Sequence, residues 1–226
     1  MKVVVIGANR GIGLGFVRHY LQRGDEVWAS YRQSPGALQS KEDARLHCFQ
    51  WDVTRIYSVT DIESRGLPDG IDLLINNAGI YGPGDGRQEL SHITAEDMQA
   101  VFMTDCVGPL MTVKALKDRV IHARGRVANL SSKMGSSEDN SSGGTYAYRA
   151  AKAALVIVSR SLAIDLADDG VRVITLHPGW VRTDMTHQSG LIDIEESVSG
   201  MTRVIEHIDD YPAGAFVAFD GQVVPY

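Results

Sequence analysis

A single doubly wound α/β domain is the architecture that these 226 residues predict. Short apolar runs rich in Val and Ile alternate with helix-period segments from end to end, the pattern of a parallel sheet covered by helices on both faces. The first run passes straight into a glycine-rich turn that opens an amphipathic helix. No shift in composition marks a second domain, and an apolar content of 44% with 22% charged residues fits one large globular unit.

The elements follow in order. Val3–Ile6 is the first strand, and a helix is predicted over Ile12–Arg23, with Phe16, Val17, Tyr20 and Leu21 on one face and Gly24 as its stop. Strands at Glu26–Ser30 and Arg45–Phe49 come next, then a helix at Ile56–Arg65 and a strand at Leu73–Asn76. Helices over Ala95–Met103 and Val107–Ala123 precede a strand at Arg126–Leu130. The polar run from Gly135 to Gly144 reads as a surface loop. A long helix at Thr145–Ala167, a strand at Val171–Leu176, a helix at Glu195–His207 and a strand at Ala215–Phe219 complete seven strands, mostly parallel.

Composition narrows the function. A net charge of −6 supplies no basic excess to displace counterions, which argues against nucleic acid as a partner. Cys48 and Cys106 give neither a disulfide framework nor metal-ligand spacing, and both are expected to be buried packing residues in a reducing compartment. The first strand begins at residue 2, leaving no room for a signal peptide, and no apolar run approaches membrane-spanning length. A cytoplasmic chain with no membrane partner is the expectation.

In an open parallel sheet, ligands sit beyond the carboxyl ends of the strands. The first such turn reads Gly7, Ala8, Asn9, Arg10, Gly11, Ile12, Gly13. Glycines there let backbone amides approach a pyrophosphate, and the helix N-terminus adds partial positive charge, so a dinucleotide is the implied ligand. Arg32 follows the second strand where an acidic residue would hold the ribose hydroxyls of NAD. With Arg10 it suits a 2′-phosphate through charge-assisted bonds, and NADP(H) is expected in preference to NAD(H). After the third strand, Asp52 and Val53 can bracket an adenine, a local cap ahead of Thr54 being the other use for Asp52. After the fourth, Asn76 and Asn77 can tie strand ends together, while Ala78 and Gly79 admit a cofactor.

Tyr148 and Lys152 lie four apart in the long helix and so share a face. A lysine cation stabilises a phenolate and lowers the tyrosine pKa, the tuning that general acid–base work requires. The fifth strand ends at Ser131 and Ser132, where a hydroxyl can polarise a substrate carbonyl. After the sixth come His177, Pro178, Gly179, Trp180, Val181, Arg182 and Thr183, a rigid turn that can aim Thr183 at an amide group.

Taken together, G-x-x-x-G-x-G, Asn76-Asn77-Ala78-Gly79, the Ser132 strand end, Tyr148-x-x-x-Lys152 and Pro178-Gly179-x-x-x-Thr183 resemble the short-chain dehydrogenase/reductase family. The likeness runs from Gly7 to Phe219, Asp220 and Gly221, and is nearest to small single-domain members related to developmental-factor and carbonyl-reductase proteins. It implies a Rossmann fold and an NADP(H)-dependent oxidoreductase that interconverts a carbonyl and the matching alcohol. It implies Tyr148 as proton donor, Lys152 as its partner and holder of the nicotinamide ribose, Ser132 on the substrate oxygen, and Thr183 on the carboxamide. Gly7, Asn9, Arg10, Gly11, Ile12, Gly13, Arg32, Asp52, Val53, Asn77, Ala78, Gly79, Pro178, Gly179 and Val181 complete the implied cofactor site. The helices at Val107–Ala123 and Thr145–Ala167 form a four-helix contact in many such proteins, which implies a homodimer or homotetramer.

The chain also departs from the family pattern. Ile6 stands where Thr is usual, Ala151 replaces the Ser before the lysine, and the Ser132–Tyr148 spacing is slightly long, which keeps Ser131 as a rival. The family's N-x-x-G-P would put Asn at position 105, where Asp105 stands ahead of Gly108 and Pro109. Asp105 is expected to pair with Lys152 or local amides and to alter the pH optimum. The alternative is a lost proton relay and a catalytically weak NADP(H)-binding regulator that acts through partners. Lys133–Thr145 and Asp184–Ile194 are expected to cover the site, with Tyr81, Met134, Trp180 and Met185 as an apolar wall.

Overall fold

The structure, a computed structural model, describes residues 1–39 and 42–226. Among these residues seven strands form one sheet: β1 (Lys2–Ile6), β2 (Glu26–Tyr31), β3 (Leu46–Gln50), β4 (Leu73–Asn76), β5 (Arg126–Leu130), β6 (Arg172–His177) and β7 (Phe216–Ala218). Their order is β3-β2-β1-β4-β5-β6-β7, and every pairing is parallel, where a mostly parallel sheet was expected. The helices are α1 (Gly11–Arg23), α2 (Val59–Glu63), α3 (Ala95–Phe102), α4 (Gly108–His122), α5 (Tyr146–Asp165) and α6 (Ile194–Glu206).

Strand alternation sends neighbouring residues to opposite layers. Val3 and Val5 of β1 pack with Phe16, Val17 and Tyr20 of α1 and Met201 and Val204 of α6. Val4 and Ile6 face Val113, Leu116 and Val120 of α4 and Ala163 of α5. The strand order reverses between β1 and β4, and the crevice at that switch point is where such sheets bind ligands.

Most predicted boundaries shift by a residue or two; α2 is shorter than the Ile56–Arg65 expected. Ser58 and Asp61 form a capping box, with Ser58 Oγ accepting from Asp61 N at 3.2 Å and Asp61 Oδ2 from Ser58 N at 3.0 Å. Ahead of that cap Tyr57 turns inward to stack on Trp51 at 4.1 Å, so the chain there is not helical. A second correction concerns Cys48, which is exposed, whereas Cys106 is buried as expected. β3 lies at one edge of the sheet, and of its residues only Phe49 is buried. The gap expected between α3 and α4 is absent as well: a π-turn over Met103–Val107 joins them directly.

Candidate active site

The first turn is built on close backbone approach. Gly7 has φ +77°, and a Cβ there would sit 2.7 Å from Ala78 Cα. Its N–H donates to Ser30 Oγ at 2.8 Å, and Asn77 Nδ2 donates to its carbonyl at 2.6 Å. Gly13 lies behind the turn, where a Cβ would strike the Gly7 carbonyl. Asn9 donates from its side chain to the Ser34 carbonyl at 3.2 Å, fixing the turn against the segment after β2. α1 starts at Gly11, and with no side-chain cap from Arg10 ahead of it and no acidic residue in its first turn its N-terminal amides stay unneutralised.

These amides open onto a cavity of about 420 Å³ along the strand ends. Gly7, Asn9, Arg10, Gly11, Ile12, Arg32, Val53, Asn77, Ala78, Gly79, Tyr148, Lys152, Pro178 and Thr183 of the expected residues line it. Trp51, Ile80, Thr104, Leu130, Ser131, Asp184 and Met185 line it too. Arg10 Nη1 lies 3.4 Å from Asp184 Oδ2, with both side chains exposed.

Six expected residues are not on the wall. Gly13 packs behind the turn, as described, and Asp52 is occupied locally, accepting from Thr54 N at 3.0 Å and Thr54 Oγ1 at 2.7 Å. Val181 is buried and bridges to Ile192. Gly179 has φ +85°, and a Cβ there would lie 2.7 Å from Ile192 Cδ1 and 2.9 Å from Phe219. Asp105 is fully buried behind Lys152, and Ser132 is half-buried at the end of β5 beside the wall residue Ser131.

The two serines divide their work. Ser131 Oγ donates to the Lys152 carbonyl at 2.8 Å and is committed to α5. Ser132 Oγ accepts from Met134 N at 3.2 Å, and its hydroxyl is among the groups that favour the Tyr148 phenolate. β4 and β5 are tied by Asn76 Nδ2 donating to Asn129 Oδ1 at 2.8 Å, and Asn129 Nδ2 continues to Ser159 Oγ at 2.8 Å. This buried chain fixes the strand ends against α5.

Lys152 Nζ donates to the Leu130 carbonyl at 3.1 Å and lies 3.1 Å from Asp105 Oδ2, while Asp105 Oδ1 accepts from Ile80 N at 2.8 Å. Asp105 thus pairs with both the lysine and a local amide. The π-turn makes this possible by burying Thr104, Asp105 and Cys106 consecutively, which no regular helix face does. Burial pushes the Asp105 carboxyl up, with Lys152 pulling the other way. Burial opposes the charged form of Lys152, but Asp105 and Tyr148 together hold it above its ordinary value. For Tyr148 the expected lowering does not result: burial raises the phenol, and Lys152, itself paired with Asp105, does not offset it.

Of the expected apolar wall, the Tyr81 ring lies 5.0 Å from that of Tyr148, Met134 packs in the same cluster, and Met185 faces the cavity. Trp180 is 53% exposed. A residue with no sequence signal is Gln88, buried and donating from Nε2 to the Tyr81 carbonyl at 2.7 Å and the Pro83 carbonyl at 3.2 Å. Its Oε1 accepts from Tyr148 N.

The cavity suits a nicotinamide dinucleotide. Uncapped helix amides border it, Gly7 admits the close approach of Ala78 on its wall, and two arginines, Arg10 and Arg32, line it. Residues 1–191 match the short chain dehydrogenase family. The chain belongs to that family. This short-chain dehydrogenase is 39% identical over 157 residues to C-signal of Myxococcus xanthus, covering 69% of this chain and 93% of that protein. It superposes on the carbonyl reductase Sniffer of D. melanogaster with a TM-score of 0.90 at 28% identity, over 100% of this chain and 99% of that one. A carbonyl reductase from Pseudomonas aeruginosa in complex with NADP gives a TM-score of 0.80 at 36% identity, over 100% and 99% of the two chains. As a short-chain dehydrogenase it is an oxidoreductase that uses a nicotinamide cofactor and a small-molecule substrate. No helix among the described residues is long and apolar enough to cross a membrane.

Proposed function

We propose that this short-chain dehydrogenase is an NADP(H)-dependent carbonyl reductase, which also oxidises the matching secondary alcohol. The observation that carries the reading is one cavity lined both by Tyr148 and Lys152 of α5 and by Arg10, from the turn after β1, and Arg32, from the segment after β2. When bound, the reduced nicotinamide supplies the hydride. Arg10 and Arg32 hold the 2′-phosphate by charge-assisted bonds, in which Arg10 exchanges its exposed contact with Asp184 for the phosphate. Gly11 and Ile12 offer backbone amides to the pyrophosphate, Val53 packs on the adenine, and Thr183 orients the carboxamide. Ser132 donates to the carbonyl oxygen of the substrate, and Tyr148 passes its phenolic proton to that oxygen. Lys152 holds the ribose hydroxyls and stabilises the phenolate left on Tyr148.

A homodimer or homotetramer through α4 and α5 belongs to the same reading, supported by Ile157 and Ile164 of α5, which are 54% and 61% exposed. Two free cysteines accord with a reducing, cytoplasmic compartment. Asp105 favours a second reading, a catalytically weak NADP(H)-binding regulator that acts through partners. NADPH oxidation against a panel of carbonyls, with Tyr148→Phe alongside, separates the two. Turnover that Tyr148→Phe abolishes supports the reductase; NADPH binding with no carbonyl consumed supports the regulator.

A further inference from the structure

We propose that Asp105 sets the pH at which this site changes from proton donor to proton acceptor, by pairing with Lys152 and holding the cluster around Tyr148 electrically neutral. The inference rests on the reductase reading and specifies how pH governs it. Asp105 is fully buried, its Oδ2 is 3.1 Å from Lys152 Nζ, and its Oδ1 is held by Ile80 N at 2.8 Å. Gly79 keeps that space open, since a Cβ there would lie 3.3 Å from both Asp105 Oδ2 and Lys152 Nζ. The pair is net neutral whichever partner holds the proton.

The groups that face Tyr148 come from every element around it. They are Lys152 on its own helix, Asp105 from the π-turn, Ser132 after β5 and Tyr81 after β4; Cys106, also from the π-turn, acts on Lys152. Lys152 is the one cation acting on the phenol among the described residues, with Nζ 5.6 Å from the ring centroid. With Asp105 beside it, its field at the phenol is offset in part, and a phenolate would be a buried anion only partly compensated. An uncharged residue at 105 would leave a bare cation facing the phenol and favour the phenolate. Burial and the Asp105 charge both push the Tyr148 phenol upward. The site therefore keeps a phenol ready to protonate a carbonyl oxygen into the alkaline range. Alcohol oxidation needs the phenolate as proton acceptor and begins at higher pH.

The test compares wild type, Asp105→Asn and Asp105→Ser, each folded by circular dichroism, in two measurements. The first is tyrosinate absorbance against pH, with Tyr148→Phe in each background subtracted to isolate Tyr148. The second is kcat against pH for alcohol oxidation with NADP⁺. Both uncharged variants are expected to move the Tyr148 titration down by about one pH unit or more, since a unit charge within about 10 Å is worth that much in a partly screened interior. The half-maximal point of oxidation should move with it. Superimposable titrations in all three proteins overturn the inference. The titration needs no turnover: a downward shift without any carbonyl or alcohol consumed sinks the reductase reading and leaves the role of Asp105 standing.

Discussion

Gln88 Oε1 accepts a hydrogen bond from the backbone N–H of Tyr148 at 3.0 Å, across sixty residues of sequence. α5 begins after Thr145, a residue at φ +50° with no side-chain cap, so its first amides need partners from elsewhere. Gln88 supplies them, its own carbonyl accepting from Tyr146 N at 3.3 Å. It is a positioning residue for the tyrosine. Gln88→Leu should leave a buried N–H unpaired, cost about 1–3 kcal/mol of stability and lower kcat more than it changes KM. Gln88→Glu restores the acceptor and should recover part of kcat; equal kcat in Leu and Glu variants would remove the positioning role.

The two serines give a paired prediction. Ser132→Ala should reduce kcat by about 10²-fold or more, the usual loss when a donor to a developing oxyanion is removed, with little change in thermal midpoint. Ser131→Ala loses the bond to the Lys152 carbonyl and should lower stability by about 1 kcal/mol while retaining most activity. Steady-state kinetics beside thermal melts read both, and the reverse pattern would exchange the assignments.

Cofactor choice can be measured directly. Arg10→Ala and Arg32→Ala should each weaken NADPH by about tenfold, the value of one charge-assisted bond, and leave NADH nearly unchanged. Fluorescence titration with both cofactors decides; equal losses for the two would refute a 2′-phosphate role.

Gly13→Ala drives a Cβ into the Gly7 carbonyl, within a helix that cannot move without disturbing Asn77. Overpacking of this kind costs about 1–3 kcal/mol, which in a chain of this size lowers Tm by about 5 °C. Calorimetry checks the stability, and NADPH affinity should fall with it because the turn carries the cradle.

His177 supplies a pH dependence of stability. Burial, reinforced by Lys133, lowers its pKa from 6.5 to about 4, and its Nδ1 accepts from Lys133 N at 3.2 Å. The unfolded chain therefore binds a proton that the folded one resists, and stability falls as pH drops from about 6.5 towards 4. The full loss is about 3 kcal/mol at most. Urea melts across that window should show a shallower decline in His177→Asn; parallel declines would mean that other groups carry it.

Much of the fold was legible because helix and strand periods, glycine stops and Val-rich runs are local signals. The burial of Phe16, Val17, Tyr20 and Leu21 followed from spacing alone. The start of α2 was not legible, because Tyr57 prefers the Trp51 ring to a helical turn. Cys48 was misplaced because sequence does not say which strand lies at the sheet edge. Gln88 had no signal at all, since its partners are backbone groups of another segment.

The sequence by itself determined the glycine turn, the order of the strand-end motifs and the Tyr148–Lys152 face, since each depends on residues close along the chain. Only the tertiary structure decided that Ser131 is tied to the Lys152 carbonyl, where Asp105 points, and that Lys152 reaches the tyrosine already paired. Those are matters of distance between segments far apart in sequence, and a π-turn that shifts one residue inward changes the charge balance of the site without altering any motif.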